Sequence, residues 1–166
     1  EMRRDIREAE VVTFDVNAYD FGAAENAYRH GRCGGPDNQD CLREVVASLN
    51  ADTDAIVAEI LALRNPSDTI IRTMTWPVSW INWYKEEGIF ESVHPYWVAY
   101  NEYIVKASSE NNIPVALVYE ALNGPNGDED PGDKGYIGPD GTHLNQTGNA
   151  LVAELFRELG YEPLAP

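Results

Sequence analysis

Basic residues are scarce in this sequence. Its 166 residues include 12 Lys and Arg against 28 Asp and Glu, which gives a formal net charge of -16. A field of that sign repels phosphate backbones, so the composition argues against nucleic-acid binding. Solubility in an extracellular or salty setting is the simplest interpretation of this charge, and selection of cationic substrates is the alternative.

Long hydrophobic runs are also missing. The apolar stretches are short and interrupted by charge, and none approaches the roughly 20 residues that a transmembrane helix needs. The chain begins Glu1-Met2-Arg3-Arg4, with neither an initiator Met at position 1 nor a signal peptide. Because it begins on a helical pattern, we expect the sequence to start inside a domain.

Cysteine is limited to Cys33 and Cys41, which lie in a loop rich in Gly, Pro, Asn and Asp. Their spacing excludes a Cys-x-x-Cys redox pair, and a metal site would need more Cys or His at ligand spacing. The best interpretation is a local disulfide, which indicates an oxidising compartment and a secreted protein. Two free thiols in a cytosolic protein are the alternative.

The sequence also lacks a Walker loop and a Gly-x-Gly-x-x-Gly motif, so no cofactor is implied.

The patterning of apolar residues predicts an α/β fold. Strands and helices alternate along the chain, which is typical of a parallel sheet covered on both faces, in a three-layer α/β/α sandwich. The predicted strands are residues 11–16, 69–75 and 114–119, and the predicted helices are residues 41–64, 92–111 and 145–159. We expect a single domain over residues 1–166. Such sheets usually carry about five strands, so we expect that N-terminal strands are missing from this chain.

Long loops follow the three strands, over residues 17–40, 76–91 and 120–143. Sites of open parallel sheets lie beyond the carboxyl ends of the strands, which makes these loops the candidate site. In the third loop, a Pro-Asp-Gly turn is expected to place the carboxylate of Asp140 towards the imidazole of His143. A carboxylate that accepts from Nδ1 leaves Nε2 free as a base for a hydroxyl nucleophile. An ordinary helix-entry turn is the alternative.

The same segment resembles a known family. Asp140-Gly141-Thr142-His143-Leu144-Asn145, followed by Thr147-Gly148-Asn149 and an amphipathic helix, is similar to the Asp-x-x-His block of SGNH/GDSL hydrolases. The resemblance implies a flavodoxin-like α/β/α fold and activity on small-molecule, lipid or glycan esters. It also implies that His143 is the general base of a Ser-Asp-His triad and that Asp140 orients it.

The first predicted strand resembles the family less closely. It leads into Asn17-Ala18-Tyr19-Asp20, where the family has Gly-x-Asn-Asp, and the Asn of that block donates a hydrogen bond to the oxyanion. Tyr19 replaces that Asn and Asn17 replaces the Gly, so either side chain is a candidate donor. Ordinary loop residues at a strand end are the alternative. Loss of one oxyanion donor typically costs about 10²–10³ in rate.

The nucleophile of the family lies in a Gly-Asp-Ser block, and no such block occurs in this sequence. Ser79 is the one serine expected near the site, but nothing around it resembles a nucleophile turn. The resemblance therefore predicts a serine esterase or lipase-like acyl hydrolase whose serine lies upstream. The chain would be the C-terminal two-thirds of the domain, and a separate chain is an alternative source of the missing segment.

An aromatic loop begins at Trp76 and includes Trp80. In a hydrolase, the two tryptophans are candidate walls of an acyl or sugar pocket. In an alternative function, a catalytically impaired module would bind glycans or surfaces through the same loop.

The acidic residues at 128–133 fail the EF-hand spacing, so they predict a solvated loop without a metal.

Overall fold

Three parallel strands form the sheet in the computed structural model, which describes residues 1–16 and 18–164. The strands are β1 (Val11–Thr13), β2 (Ile70–Met74) and β3 (Val115–Ala116), in the order β1-β2-β3. Val11 lies opposite Ile70, and Thr73 lies opposite Val115. The predicted α/β fold with a parallel sheet flanked by helices is confirmed.

The helices of the described residues connect and flank these strands. Their bounds are α1 (Met2–Glu8), α2 (Tyr19–Arg29), α3 (Asp40–Leu63), α4 (Ile81–Glu86), α5 (Phe90–Glu110), α6 (Val118–Asn123) and α7 (Gln146–Glu158). Within the described part of the chain, no helix is both long and apolar enough to cross a membrane.

Neighbouring residues of β2 show that helices cover both faces of the sheet. Ile71 packs with Val57 and Ile60 of α3. The next residue, Arg72, turns the other way, because successive strand residues point to opposite faces. Its guanidinium donates to the carbonyl oxygen of Phe156 at 2.7 Å, at the end of α7. Helices α3 and α7 therefore lie on opposite faces.

A buried acid joins three helices inside the main core. The carboxylate of Glu25 accepts hydrogen bonds from the hydroxyl of Tyr84 and, at 3.1 Å, from Nε1 of Trp97. Trp97 also stacks on Phe21, with ring centroids 4.0 Å apart. Burial raises the pKa of Glu25, and the two hydrogen bonds lower it by less. Helices α2, α4 and α5 are thus fastened together through one carboxyl group.

Helix α2 occupies residues 19–29, so the prediction of a loop over most of residues 17–40 is wrong there. Phe21, Ala24 and Glu25 are its buried residues, and their spacing of three and four places them on one face. Only Phe21 is a large apolar side chain, so the helical period is weak in the sequence.

Strand β3 ends at Ala116, although the sequence predicted a strand over residues 114–119. The hydroxyl of Thr75 accepts from the amide of Tyr119 at 2.9 Å and donates to Oε2 of Glu120 at 3.0 Å, at the first turn of α6. These bonds favour a helix directly after the strand. A short apolar run does not distinguish a buried strand from a buried helix, which explains the error.

The predicted disulfide joins Cys33 and Cys41, whose Cα atoms lie 4.8 Å apart. The amide of Cys41 also donates to the carbonyl oxygen of Cys33 at 2.9 Å. The bridge therefore closes the short loop that precedes α3.

Candidate functional site

A short hairpin brings Asp140 and His143 together. Ile137 and Leu144 form an antiparallel bridge, and the amide of Gly138 donates to the carbonyl oxygen of His143 at 2.7 Å. The chain reverses at Gly141, which has a φ of 73° that favours glycine. The hairpin thus presents both polar side chains just before α7 begins.

Asn145 ties this hairpin to α7. Its Oδ1 accepts from the amides of Thr147 at 2.8 Å and Gly148 at 3.1 Å, which caps the helix. Its Nδ2 donates to the carbonyl oxygens of Gly135 at 2.8 Å and Ile137 at 3.1 Å. One side chain therefore holds both the start of the helix and the strand of the hairpin that enters the turn.

Gly148 allows α7 to approach the hairpin closely. A Cβ atom at this position would lie 2.6 Å from the carbonyl oxygen of Tyr136. That distance is shorter than van der Waals contact, so a side chain here would push the helix away from the hairpin. The glycine is thus required by the packing that positions the Asp140–His143 pair.

The two side chains form the arrangement expected of a base and its orienting group. Nδ1 of His143 lies 2.7 Å from Oδ2 of Asp140, and Oδ1 accepts from the amides of Thr142 and His143, both at 3.0 Å. Three hydrogen bonds hold the pKa of Asp140 well below its usual range. The largest effect comes from the Thr142 amide, followed by the imidazole and the amide of His143. Because an ionised carboxylate only accepts, Nδ1 carries the proton, and Nε2 is free to accept one.

The pair is exposed. The His143 side chain is 83% exposed and that of Asp140 is 53% exposed. Ion pairs and hydrogen bonds as exposed as this contribute little to stability. The imidazole is therefore held in a fixed orientation at the surface by contacts that contribute little to the stability of the fold.

Ser79 lies beside this pair, as expected from the sequence. Its hydroxyl donates to the carbonyl oxygen of Thr142 at 2.8 Å. The contact joins the segment after β2 to the hairpin of His143. It also commits the hydroxyl proton to a backbone carbonyl rather than to the imidazole.

The two tryptophans proposed as pocket walls are separated by the structure. Trp76 is half-buried against the main core, and its amide donates to Oδ1 of Asn101 at 2.6 Å. Trp80 is 40% exposed and directly follows Ser79, so it is the one near the hairpin. Of the two tryptophans, Trp80 is therefore the more exposed and the nearer to the hairpin along the chain.

Of the two oxyanion candidates, the structure places Tyr19. It is the first residue of α2 and is 86% exposed. It follows the carboxyl end of β1, which lies at the same edge of the sheet as the carboxyl ends of the other parallel strands. Asn17 lies outside the described residues.

The prediction of a solvated acidic loop is wrong for Asp130, which is buried. Its Oδ2 accepts from the amide of Asn82 at 2.8 Å, and its Oδ1 accepts from the amide of Gly132 at 2.7 Å. The carboxylate thereby satisfies a free amide in the first turn of α4. No local sequence signal reveals this contact, because the two residues lie far apart in the chain.

Within residues 1–16 and 18–164, no three His, Cys, Asp or Glu side chains are grouped as a metal site.

The exposed pair is therefore the arrangement that points most directly to a chemical function. Comparison with protein-family models, curated proteins and solved structures gives no match in any of the three. The chemistry open to the pair is proton transfer at Nε2 of His143, oriented by the Asp140 carboxylate.

Proposed function

We propose that this chain is part of a serine ester hydrolase that resembles the SGNH/GDSL type, in which His143 is the general base and Asp140 orients it. The observation that carries the proposal is the 2.7 Å contact between Nδ1 of His143 and Oδ2 of Asp140, with Nε2 left free. The same geometry occurs in acyl-transfer enzymes on several unrelated folds. The local arrangement therefore supports the reaction class more strongly than the fold does.

In the proposed reaction, a serine hydroxyl attacks the ester carbonyl while Nε2 of His143 takes its proton. The imidazolium then gives that proton to the departing alcohol, and water repeats the sequence on the acyl-enzyme. Asp140 stabilises the imidazolium in both steps. The amides of Thr142 and His143 hold that carboxylate in place and ionised.

The serine itself would come from a segment upstream or from a separate chain. Ser79 is a weaker candidate because its hydroxyl donates to the carbonyl oxygen of Thr142. Among the described residues β1 pairs only with β2, so its other edge is open to another strand. Val11 and Thr13 are exposed on this edge strand. A further parallel strand could pair with the free backbone groups of β1 and would deliver a residue to the carboxyl ends of the strands.

The proposed substrate is an ester of a small molecule, a lipid or a glycan. Trp80 offers an exposed aromatic surface beside the hairpin, which suits an acyl chain or a sugar ring. The disulfide between Cys33 and Cys41 supports a secreted protein, because such bonds persist in oxidising compartments.

Hydrolysis of p-nitrophenyl acetate by the full-length protein tests this proposal. We expect His143→Ala to abolish turnover and Asp140→Asn to lower kcat by up to about 10⁴-fold, through loss of the correct tautomer. His30→Ala is the matched control, since His30 is another exposed histidine and contacts the carbonyl oxygen of Asn26. Full activity of the His143 variant would overturn the assignment.

A second candidate function is binding of glycans or surfaces without catalysis. The observation that favours it is the exposure of both Trp80 and Trp83 in one short segment. Binding to insoluble polysaccharide should then weaken in Trp80→Ala and stay unchanged in His143→Ala. The opposite pattern would favour the hydrolase.

A further inference from the structure

A groove of about 810 Å³ lies between α5 and α6 and is also lined by residues 124–127. Its size falls in the range of small-molecule sites, roughly 300–1,000 Å³. None of the residues that line it belongs to the hairpin of Asp140 and His143. It is therefore separate from the site proposed above.

The floor of the groove is apolar. Val98 and Val105 line it from one face of α5, since they are seven residues apart, and Leu117 and Tyr119 face them. Leu117 is 46% exposed, which is unusual for a large aliphatic side chain beside a buried strand. The floor thus offers apolar surface to a ligand with a hydrocarbon body.

Two carboxylates, those of Glu102 and Glu120, line the sides of the groove. Glu120 lines the groove from α6, and its Oε2 accepts from the hydroxyl of Thr75 at 3.0 Å, which fixes the carboxylate. Glu102 lines it from α5 and is exposed. Burial, followed by the charges of Glu120 and Asp128, raises the pKa of Tyr119 to about 12. The aromatic wall therefore lies in a negative field.

Two basic side chains, those of Lys106 and His94, also line the groove, and each has contacts of its own in the structure. Nζ of Lys106 lies 4.0 Å from Oε1 of Glu110 and 6.0 Å from the ring centroid of Tyr103, so the ammonium group lies near neighbours on its own helix. Nε2 of His94 is buried, has no hydrogen-bond partner among the described residues and would lie 2.8 Å from a Cβ on Gly127. This nitrogen is thus covered by the Gly127 segment, although the His94 side chain lines the groove.

We propose that this groove binds an amphipathic organic cation, with its apolar body on the floor and its ammonium group towards Glu102 and Glu120. Tyr119 lines the groove but is buried, so selection of the cation rests on the two carboxylates. The net charge of -16 raises the local concentration of cations around the whole molecule. This site is independent of the proposed hydrolase activity.

Three probes that share a phenylbutyl body and differ in charge test the proposal. They are 4-phenylbutylamine, 4-phenylbutanol and 4-phenylbutyrate, titrated into ¹⁵N-labelled protein. We expect the amine to bind about 10-fold more tightly than the alcohol, because two carboxylates face its ammonium group. The carboxylate should bind more weakly still. The amide shifts should cluster at residues 94–109 and 117–127.

Variants separate the groove from general attraction to an acidic surface. Glu102→Gln and Glu120→Gln should each weaken amine binding by about 2- to 5-fold, as for partly exposed ion pairs. Glu91→Gln is the matched control, because Glu91 is an exposed acid on the same helix that does not line the groove. Leu117→Arg, at an exposed position, should block the floor and abolish binding.

Several results would overturn the proposal. Equal binding of the alcohol and the amine would show an apolar site without charge selection. Equal weakening by Glu91→Gln and Glu102→Gln would show non-specific attraction, and shifts outside the groove would place the ligand elsewhere. Absence of binding by all three probes, with a native spectrum, would also contradict it. None of these outcomes bears on the Asp140–His143 pair.

Discussion

Replacing Asn145 by Ala is expected to detach the hairpin of Asp140 and His143 from the start of α7. The substitution removes the helix cap and both hydrogen bonds donated by Nδ2. Loss of a cap costs about 1 kcal/mol, and each further hydrogen bond contributes roughly 0.5–1.5 kcal/mol. We therefore expect a loss of about 2–4 kcal/mol in the free energy of unfolding.

Thermal unfolding followed by circular dichroism measures this loss. At this chain length, 1 kcal/mol corresponds to roughly 2–4 °C, so the Tm should fall by about 4–16 °C. Asn145→Asp keeps the capping acceptor and loses only the two donors, so it should lie between the wild type and the Ala variant.

Gln146→Ala is the matched control, since Gln146 is the exposed first residue of α7, and it should change stability by less than about 0.5 kcal/mol. A Tm for Asn145→Ala within about 2 °C of the wild type would refute the reasoning, because that shift corresponds to no more than about 1 kcal/mol.

Two further predictions concern the core and the packing of α7. The raised pKa of Glu25 means that its stabilising contribution is present below its ordinary value of 4.5 and is lost as the pH rises through the folded-state value. Urea unfolding should show that decline in the wild type and not in Glu25→Gln, and parallel pH profiles would contradict it. Gly148→Ala should lower the Tm, at a cost of about 1–3 kcal/mol for the close contact, despite the better helix propensity of Ala. Gly22→Ala is the control, because nothing lies within 4 Å of the added Cβ, and it should raise the Tm; a rise in both variants would contradict the contact at Gly148.

The parts of the fold that could be predicted are those in which local pattern and tertiary packing agree. Helix α3 buries Leu42, Val45, Val46, Leu49, Val57 and Ile60, and their spacing is visible in the sequence. The two cysteines lie close enough in the chain to indicate their own bridge. For these elements the sequence shows both the spacing of the buried residues and the residues at which the element begins and ends.

The parts that could not be predicted depend on contacts between distant residues. Helix α2 is held by the bond of Glu25 to Tyr84, and α6 begins where Thr75 accepts from the amide of Tyr119. The burial of Asp130 depends on Asn82 in the same way. Such partners become neighbours only in the folded chain, so neither propensity nor periodicity reveals them.

In the candidate site, too, contacts between residues near in the chain could be predicted and contacts between distant residues could not. The Pro-Asp-Gly turn made the contact between Asp140 and His143 predictable, because the two residues are only three positions apart. The role of Asn145 in holding the hairpin, and the hydrogen bond from the Ser79 hydroxyl to the Thr142 carbonyl, required the structure.

Covalent labelling tests the central claim most directly. The full-length protein, treated with a fluorophosphonate and digested, should carry the phosphonyl group on one serine, identified by mass spectrometry. The labelling rate should fall by about 10²–10⁴-fold in His143→Ala, since a general base contributes that much, and should be unchanged in His30→Ala. Labelling that is equally fast without His143, or no serine adduct on the folded protein, would contradict the assignment of His143 as the base of a serine hydrolase.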